Sequence, residues 1–319
     1  MGTNQFTKYS STDASAPVLT GENGKLVALM DAILHDGYGA LSGAGWAITF
    51  TAANKRVYTQ GAGSNGRVLR LLDDGSLTGA ARDCAWRGGL SASDIDTLSG
   101  AFPDPTTQEA VGSYCVRKSK TADNVARAWK CWADKKSFII FIFNEDVAGL
   151  PFVYAFGDQD PFYTDTYLTT IMGGNVSGAA ALATTVDYCA ITSAAVYTAV
   201  NKHYVPQPVS GTGGSKTLSK YVPRNVANVA ALQGGANTYK NGGDGNILLE
   251  PVELADPSPA NIRGRWRGVW TPMHAATNFA TGDTISGAGG YSGKTFEVMK
   301  GTAYGANGLF VIETSATLS

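Results

Sequence analysis

Charged residues are scarce in this 319-residue chain, and neither sign dominates. Asp, Glu, Lys and Arg make up 16% of the sequence, against about 25% in an average soluble protein. The 25 Lys and Arg residues nearly balance the 26 Asp and Glu residues, which gives a net charge of −1. Binding to nucleic acid or to an anionic membrane surface depends on a basic excess. We therefore expect neither among the partners of this protein.

Long hydrophobic runs are also missing. The longest purely apolar run near the middle of the chain, Phe138–Phe143, has six residues, whereas a membrane-spanning helix needs about 20. The N-terminal sequence MGTNQFTKYSSTDASAP has neither the basic start nor the apolar segment of a secretory signal peptide. We therefore expect a protein that is made in the cytoplasm and does not insert into a membrane.

Cysteine and histidine are too few and too scattered to indicate a metal centre or a disulfide framework. The cysteines form no CxxC pair and are interpreted as buried free thiols; they are Cys84, Cys115, Cys131 and Cys189. Zinc needs three or four clustered ligands, whereas the three histidines lie far apart; they are His35, His203 and His274. No nucleophile motif such as GxSxG occurs either. The sequence thus predicts no catalytic, cofactor-binding or metal-binding residues, and a protein that is not an enzyme.

Glycine is abundant, at 39 residues, and two glycine-rich segments look like nucleotide-binding loops. Gly61–Gly66 matches GxGxxG, but the short segment after it runs into Asp73-Asp74-Gly75 and leaves no room for the required helix. We interpret this segment as a hairpin turn. Residues 210–217 read SGTGGSKT, where Ser215 stands in place of the glycine that a phosphate-binding loop needs before its lysine. A nucleotide site is therefore disfavoured at both places.

One acidic cluster could carry a function. Asp158, Asp160 and Asp165 surround the tripeptide Pro161-Phe162-Tyr163. Their carboxylates could converge on a calcium ion, although aspartates cap turns more often than they bind metal. Asp158 and Asp160 are also the only candidates for the paired carboxylates that a polysaccharide-cleaving enzyme would need.

One basic stripe is the second candidate. The segment Arg263–Gly268 alternates arginine with glycine or tryptophan. On a strand the three arginines, Arg263, Arg265 and Arg267, would project from one face and Trp266 from the other. Because the chain has no basic excess, we predict that they pair with carboxylates of the same fold or of a neighbouring subunit rather than with nucleic acid.

The remaining pattern predicts a mainly β fold with a few helices, built around a β-sandwich or barrel-like core. Short runs rich in aromatic and β-branched residues are typical of strands; they cover residues 46–50, 56–59, 67–72, 114–118, 127–132, 137–143, 153–156, 263–270, 295–299 and 309–314. Only four residues separate 127–132 from 137–143, so these two segments should form an antiparallel hairpin. Phe138, Ile140 and Phe143 are expected in a central layer that is covered on both faces.

One amphipathic helix and three regions complete the predicted organisation. Residues 26–34 carry an apolar stripe at helical spacing, with Asn23 as the predicted N-cap and Gly37 as the C-terminal stop. Residues 1–22 are expected to form an extended arm that contacts another subunit rather than its own domain. Residues 23–172 plus 262–319 are expected to form a β-rich core domain, and residues 173–261 a loop-rich insertion or subdomain.

Three groups of segments carry a resemblance to a known family. The first is YSSTDASAPVLTGENGKLVALMDAILHDGYG, and the second is GSYCVRKSKTADNVARAWKCWADKKSFIIFIF, followed by YAFGD. The third comprises IRGRWRGVWTPMH, GDTISGAGGYSGKTFEVMK and LFVIETSATLS. Together they resemble an uncharacterised family of virion-associated structural proteins of tailed bacteriophages. The resemblance spans nearly the whole chain in order and is weakest over residues 173–246.

This resemblance implies a late structural protein of the virion that is made in the host cytoplasm. It implies other virion subunits as partners, either major capsid or tail proteins, and assembly as a homo-oligomer. Capsid decoration or cementing, or another head-associated role, is the favoured expectation. A tail or baseplate component, including a receptor- or glycan-binding protein with exposed aromatic side chains, is the alternative. The family supplies no catalytic residues to carry over.

Overall fold

The computed structural model describes most of the chain and has a mainly β architecture. The described residues are 6–77, 79–105, 114–143, 151–173, 203–211, 213–221, 249–257, 260–272, 280–287, 291–303 and 306–314. Within them, 20 strands form antiparallel sheets and one short α-helix continues into a π-helical turn. The mainly β fold that the sequence predicts is confirmed, and the packing of the sheets is consistent with a β-sandwich core.

The strands and the helix alternate with short turns, as expected for a sequence rich in glycine and small polar residues. The helical elements are α1 (Lys25–Asp31) and the π-helical turn Ala32–Asp36. The strands, in chain order, are β1 (Thr7–Ser10), β2 (Ala47–Ala52), β3 (Lys55–Thr59), β4 (Val68–Leu72), β5 (Asp83–Gly89), β6 (Ser91–Ala92), β7 (Leu98–Ser99), β8 (Tyr114–Arg117), β9 (Ala128–Ala133), β10 (Ser137–Phe143), β11 (Phe152–Asp158), β12 (Asp160–Pro161), β13 (Thr169–Met172), β14 (His203–Val205), β15 (Lys216–Tyr221), β16 (Leu249–Pro257), β17 (Ala260–Pro272), β18 (Thr284–Ser286), β19 (Thr295–Ala303) and β20 (Ala306–Glu313).

Two sheets form the frame of the molecule. The large sheet has 13 strands in the order β1-β9-β10-β11-β13-β14-β15-β16-β17-β20-β19-β18, and β12 also pairs with β17. The small sheet has five strands in the order β2-β3-β4-β5-β8. A two-stranded ribbon of β6 and β7 extends from the small sheet. Every pairing is antiparallel, so neighbouring strands are mostly joined by turns and short loops.

Strands β9, β10 and β11 lie at the centre and are covered on both faces. On one face Trp129, Phe138 and Ile140 pack against α1 and the small sheet. On the other face Trp132 and Ile139 pack against apolar side chains of β16, β17, β19 and β20. The large sheet therefore curls over its own first half, and the small sheet closes the opposite side.

Ion pairs mark the place where the large sheet meets itself. Glu297 of β19 accepts a bond from Lys8 of β1 at 2.6 Å and one from Lys130 of β9 at 2.8 Å. The Glu297 carboxylate is almost fully buried, with 7% of its side chain exposed. Because these strands belong to opposite halves of the same sheet, the contact ties the two halves together.

The predicted central hairpin is confirmed in its position and pairing. Phe138 of β10 lies opposite Ala133 of β9, and the pairing continues to Phe143 opposite Ala128. Phe138 and Ile140 are each 1% exposed. Phe143 is only half-buried, because β10 ends there and the side chain lies at the margin of the core.

The predicted helix is also present, with a different N-cap. It ends at Gly37, whose φ of 82° suits glycine, as the sequence predicts. The N-cap is Gly24 rather than Asn23, and it offers no side-chain cap. The amide of Leu26 is instead bound at 2.7 Å by a carboxylate oxygen of Asp73, which lies just after β4. A distant residue thus replaces the local capping interaction that the sequence suggested.

Residues 1–22 were expected to contact another subunit rather than their own domain, and the described part of this segment does pack on its own domain. A contact with another subunit stays a prediction. β1 pairs with β9 over four residues, and Tyr9 lies opposite Cys131. Tyr9 is fully buried, and its hydroxyl donates a hydrogen bond of 2.7 Å to the Ser42 carbonyl. Burial raises the pKa of Tyr9 to about 12. The segment looked like an arm because its few apolar residues reach the core of the domain from a short polar strand.

The predicted boundary at residue 173 does not interrupt the large sheet. β14, β15 and β16 fall inside the expected insertion, yet they continue the sheet from β13 to β17. Residues 174–202 and 222–248, the greater part of the expected insertion, lie outside the described residues. The described part of the region therefore belongs to the core rather than to a loop-rich insertion.

Truncation of Ile140 should destabilise the protein strongly. We expect Ile140→Ala to lower the free energy of unfolding by about 2–5 kcal/mol, because it opens a cavity in a packed core. Val125→Ala, which changes a side chain that is 52% exposed, should change it by less than about 0.5 kcal/mol. Reversible urea denaturation at a fixed protein concentration measures both. Similar small effects for the two variants would place β10 at the periphery.

Truncation of Tyr9 distinguishes a strand of the domain from an intersubunit arm. We expect Tyr9→Ala to lower the free energy of unfolding of the monomer by about 3–5 kcal/mol, as for other buried aromatic residues. Thr7→Ala, on the exposed start of the same strand, should have little effect. Thermal unfolding of a preparation shown to be monomeric provides the measurement. An unchanged melting temperature for Tyr9→Ala would restore the interpretation as an arm.

Candidate functional site

The acidic cluster lies where β11 leads into β12, beside the first half of β17. β12 pairs with β17, with Asp160 opposite Arg265 and Pro161 opposite Gly264. This pairing brings the predicted acidic cluster against the predicted basic stripe. The two candidate groups of the sequence are therefore one junction, which we call the Asp–Arg junction: Asp158, Asp160, Asp165, Arg263, Arg265 and Arg267.

Asp158 is fully occupied by hydrogen bonds from its own chain. It accepts bonds from the Thr169 hydroxyl at 2.6 Å, the Asn65 amide at 2.7 Å and the Gln60 side chain at 3.0 Å. Asp158 is 7% exposed. It therefore connects the loop between β3 and β4 to β13, and it does not face a cleft.

Asp160 lies nearer the surface between two arginines. Its carboxylate is 3.8 Å from Arg265 and 3.8 Å from Arg267. Burial raises the pKa of the Asp160 carboxyl, and the charges of Arg267 and Arg265 oppose this effect. Arg267 is held more tightly by Asp134, at 2.5 Å, and its guanidinium stacks on the Phe6 ring at 5.3 Å. The arginine thus bridges the turn after β9, the β12 segment and the start of the chain.

Asp165 forms the most buried part of the junction. Arg263 is fully buried and donates two hydrogen bonds to Asp165, at 2.7 and 2.9 Å. It donates further bonds to Asp256 at 3.1 Å and to the Gln207 carbonyl at 2.9 Å. Burial alone would lower the pKa of the Arg263 guanidinium, but the bonds to Asp165 and Asp256 raise it overall. The planar guanidinium can serve all these acceptors together, as an ammonium group could not.

This geometry decides how the acidic cluster is interpreted. The three carboxylates bind different partners and do not converge, and the described residues hold no group of three or more His, Cys, Asp or Glu side chains that could bind a metal ion. Asp158 and Asp160 likewise have their oxygens directed at donors of the same chain. The predicted pairing of the arginines with carboxylates of the same fold is confirmed, and Trp266 points into the opposite, apolar face.

The glycine-rich segments are turns in the described structure. Gly61–Gly66 connects β3 to β4, and the Gln60 amide donates to the Arg67 carbonyl across the turn. The hairpin interpretation is therefore confirmed. In the SGTGGSKT segment, Lys216 begins strand β15 rather than the helix that would follow a phosphate-binding loop.

The predicted free thiols are confirmed for Cys84, Cys115 and Cys131, which are all buried. Burial raises the pKa of each of these thiols, so they are poor nucleophiles. His203 is buried in β14 and meets the Trp266 ring edge-on at 5.2 Å. Cys189 and His274 lie outside the described residues, and His35 is 46% exposed beside Asp36.

The sequence analysis missed a second charged cluster, inside the small sheet. Asp73 and Lys118 form an ion pair with both side chains fully buried, and the Cys84 thiol donates to Asp73 at 3.1 Å. Next to it, Arg117 binds Asp83 at 2.8 Å. A signal was available: Asp73 directly follows β4 and has the same parity as Leu69 and Leu71, so it points to the apolar side.

A small exposed apolar patch lies beside the Asp–Arg junction. Phe162, Tyr163 and Ile262 are 52%, 41% and 43% exposed. The Phe162 amide donates to the Arg263 carbonyl at 2.9 Å, which anchors the patch to β17. Nearby, the Arg67 guanidinium lies over the Tyr167 ring at 5.7 Å.

Comparison with known proteins adds no relative. No protein-family model matches the sequence, and no curated protein matches it at a significant level. Among the described residues, none of the helices has the length and apolar character needed to cross a membrane.

The buried half of the Asp–Arg junction should contribute more to stability than the exposed half. Arg263→Met leaves Asp165 and Asp256 without their buried partner, and we expect a loss of about 3–5 kcal/mol in the free energy of unfolding. Arg265→Met, on the same strand but 26% exposed, should cost less than about 1 kcal/mol. Urea denaturation of both variants measures the difference. Equal effects would contradict this assignment.

Proposed function

We propose that this protein is a non-catalytic structural component of a tailed-phage virion, with a head-associated role such as capsid decoration or cementing. The observation that carries the proposal is the location of the three resembling groups of segments. They are far apart in the sequence, and they meet in one place in the fold. The resembling segments therefore form a connected structural unit. The resemblance extends to the core of the protein and is not limited to surface loops.

The contacts between these segments are direct. Tyr9, from the first segment, pairs with Cys131, from the second. Lys130, also from the second, binds Glu297 of the third at 2.8 Å. Helix α1 of the first segment packs on the same core as Phe138 and Ile140 of the second. These contacts support the view that the three segments form one folding unit.

The surface also supports a role in assembly. β2 lies at the edge of the small sheet, and its sequence AITFTA has no charged residue and no proline. Side chains alternate between exposed and half-buried along it. Monomeric proteins usually protect such edges with charge, proline or a covering segment. A bulge between Ile48 and Phe50 interrupts this edge locally, and among the described residues no strand pairs with its outer side. Such an edge suits a subunit whose neighbours cover it in a particle, either copies of itself or capsid or tail proteins.

One observation favours the second candidate function, a receptor- or glycan-binding tail or baseplate component. Phe162 and Tyr163 project from the β12 region with about half of each side chain exposed. Exposed aromatic rings beside charged groups offer the stacking and hydrogen bonding that sugars require. Among the described residues the patch comprises three side chains, Phe162, Tyr163 and Ile262, so this role ranks second.

Locating the protein in purified particles tests the proposal. We expect mass spectrometry of gradient-purified virions to find it in a fixed copy number, and immunogold labelling to place it on heads separated from tails. Its absence from infectious particles would refute the proposal. Labelling confined to tails, with host binding lost in Phe162→Ala and retained in Val18→Ala, would favour the alternative.

A further inference from the structure

The buried Asp73–Lys118 pair joins two strands that are not neighbours. Asp73 follows β4 and Lys118 follows β8, and both strands flank β5 in the small sheet. Leu72 lies opposite Ala85, and Asp83 lies opposite Arg117, so the two side chains reach the same end of β5. They meet over Cys84 on the apolar face of the sheet.

Both members of the pair lie away from water, and their contact is their main polar interaction. Both side chains are fully buried, and burying charge in an apolar core is costly. A Lys ammonium has three N–H donors, whereas Asp73 is the only acceptor that the described residues give to the Lys118 amine. Burial also raises the pKa of the Asp73 carboxyl, although Lys118 opposes this effect.

The carboxyl group of Asp73 is held as an acceptor of nucleophilic attack. Its Oδ2 accepts bonds from the backbone amides of Leu26 at 2.7 Å and Val27 at 3.4 Å. Its Oδ1 faces Lys118 and accepts the Cys84 thiol at 3.1 Å. Donors in these positions withdraw electrons from Cγ and can hold negative charge that develops on Oδ2. The fixed contact between the two side chains supplies the proximity that such a reaction needs.

We propose that Lys118 and Asp73 join in an intramolecular amide bond, which forms spontaneously once the small sheet has folded. One proton passes from the Lys118 ammonium to Oδ1 of Asp73. The resulting amine attacks Cγ, and a C–N bond forms while the amides of Leu26 and Val27 hold the charge on Oδ2. A proton passes from the nitrogen to the Oδ1 hydroxyl, the C–Oδ1 bond breaks, and one water molecule leaves. No oxidant, metal or second reactant is needed. The product ties β4 to β8 across β5.

The intact mass of the purified protein tests this directly. Under denaturing and reducing conditions we expect a mass lower than that of the sequence by one water molecule. Trypsin should fail to cut after Lys118, and a branched peptide should join residues 71–82 to residues 118–120. A mass equal to that of the sequence, with normal cleavage after Lys118, would overturn the proposal and leave a buried ion pair. This measurement does not depend on whether any variant folds.

Two lysine variants serve as matched controls. Lys118→Met should restore the full mass, because it removes the nucleophile. Lys130→Met should keep the loss of water, because Lys130 pairs with Glu297 at a site where its own side chain is 23% exposed. Asp74-Gly75 could lose water in another way, by forming a succinimide. Loss of water that persists in Lys118→Met and disappears after mild alkaline treatment would identify that reaction and overturn the proposal.

Discussion

The fold depends on burying both faces of three adjacent strands, β9, β10 and β11. The Ser137–Phe143 strand is apolar at nearly every position, so neither face can be left in water without exposing a row of large side chains. A flat sheet cannot cover its own faces, so these strands need other elements, or a curled part of the same sheet, on each side. The protein therefore uses two covers: α1 with the small sheet on one face, and β16, β17, β19 and β20 on the other. The other elements are arranged around this requirement.

The elements that depend on local pattern were predictable, and those that depend on distant partners were not. The hairpin of β9 and β10 and the helix stop at Gly37 follow from periodicity and turn chemistry. Strand β5, Asp83–Gly89, was missed because glycine is unfavourable in strands. In the structure, a Cβ on Gly88 would lie 2.4 Å from the Phe102 ring, so this glycine is required by close packing. β1 was missed because a short polar segment can be identified as a strand only from its pairing with β9.

The candidate site followed the same division. The alternation of Arg263, Arg265 and Arg267 correctly predicted one charged face and partners within the chain. Which aspartate each arginine binds depends on β12 adding to β17, and no local pattern in residues 158–165 indicates that pairing. The buried pair of Asp73 and Lys118 was missed for a related reason. Each residue directly follows a short strand and looks like an ordinary polar boundary, because only the pairing of both strands with β5 brings the two together.

The protein has few charged residues, and several of them form buried ion pairs between distant segments. A chain with few ionisable residues places several of them inside, although an apolar pair of similar shape often stabilises a core at least as well. Asp165 and Arg263 are 98 residues apart, and Lys130 and Glu297 are 167 apart. Two apolar surfaces can shift against each other at little cost in free energy. A buried charge that loses its partner, in contrast, strongly destabilises the fold. Directional pairs at the points where distant segments meet therefore disfavour shifted registers of a long antiparallel sheet.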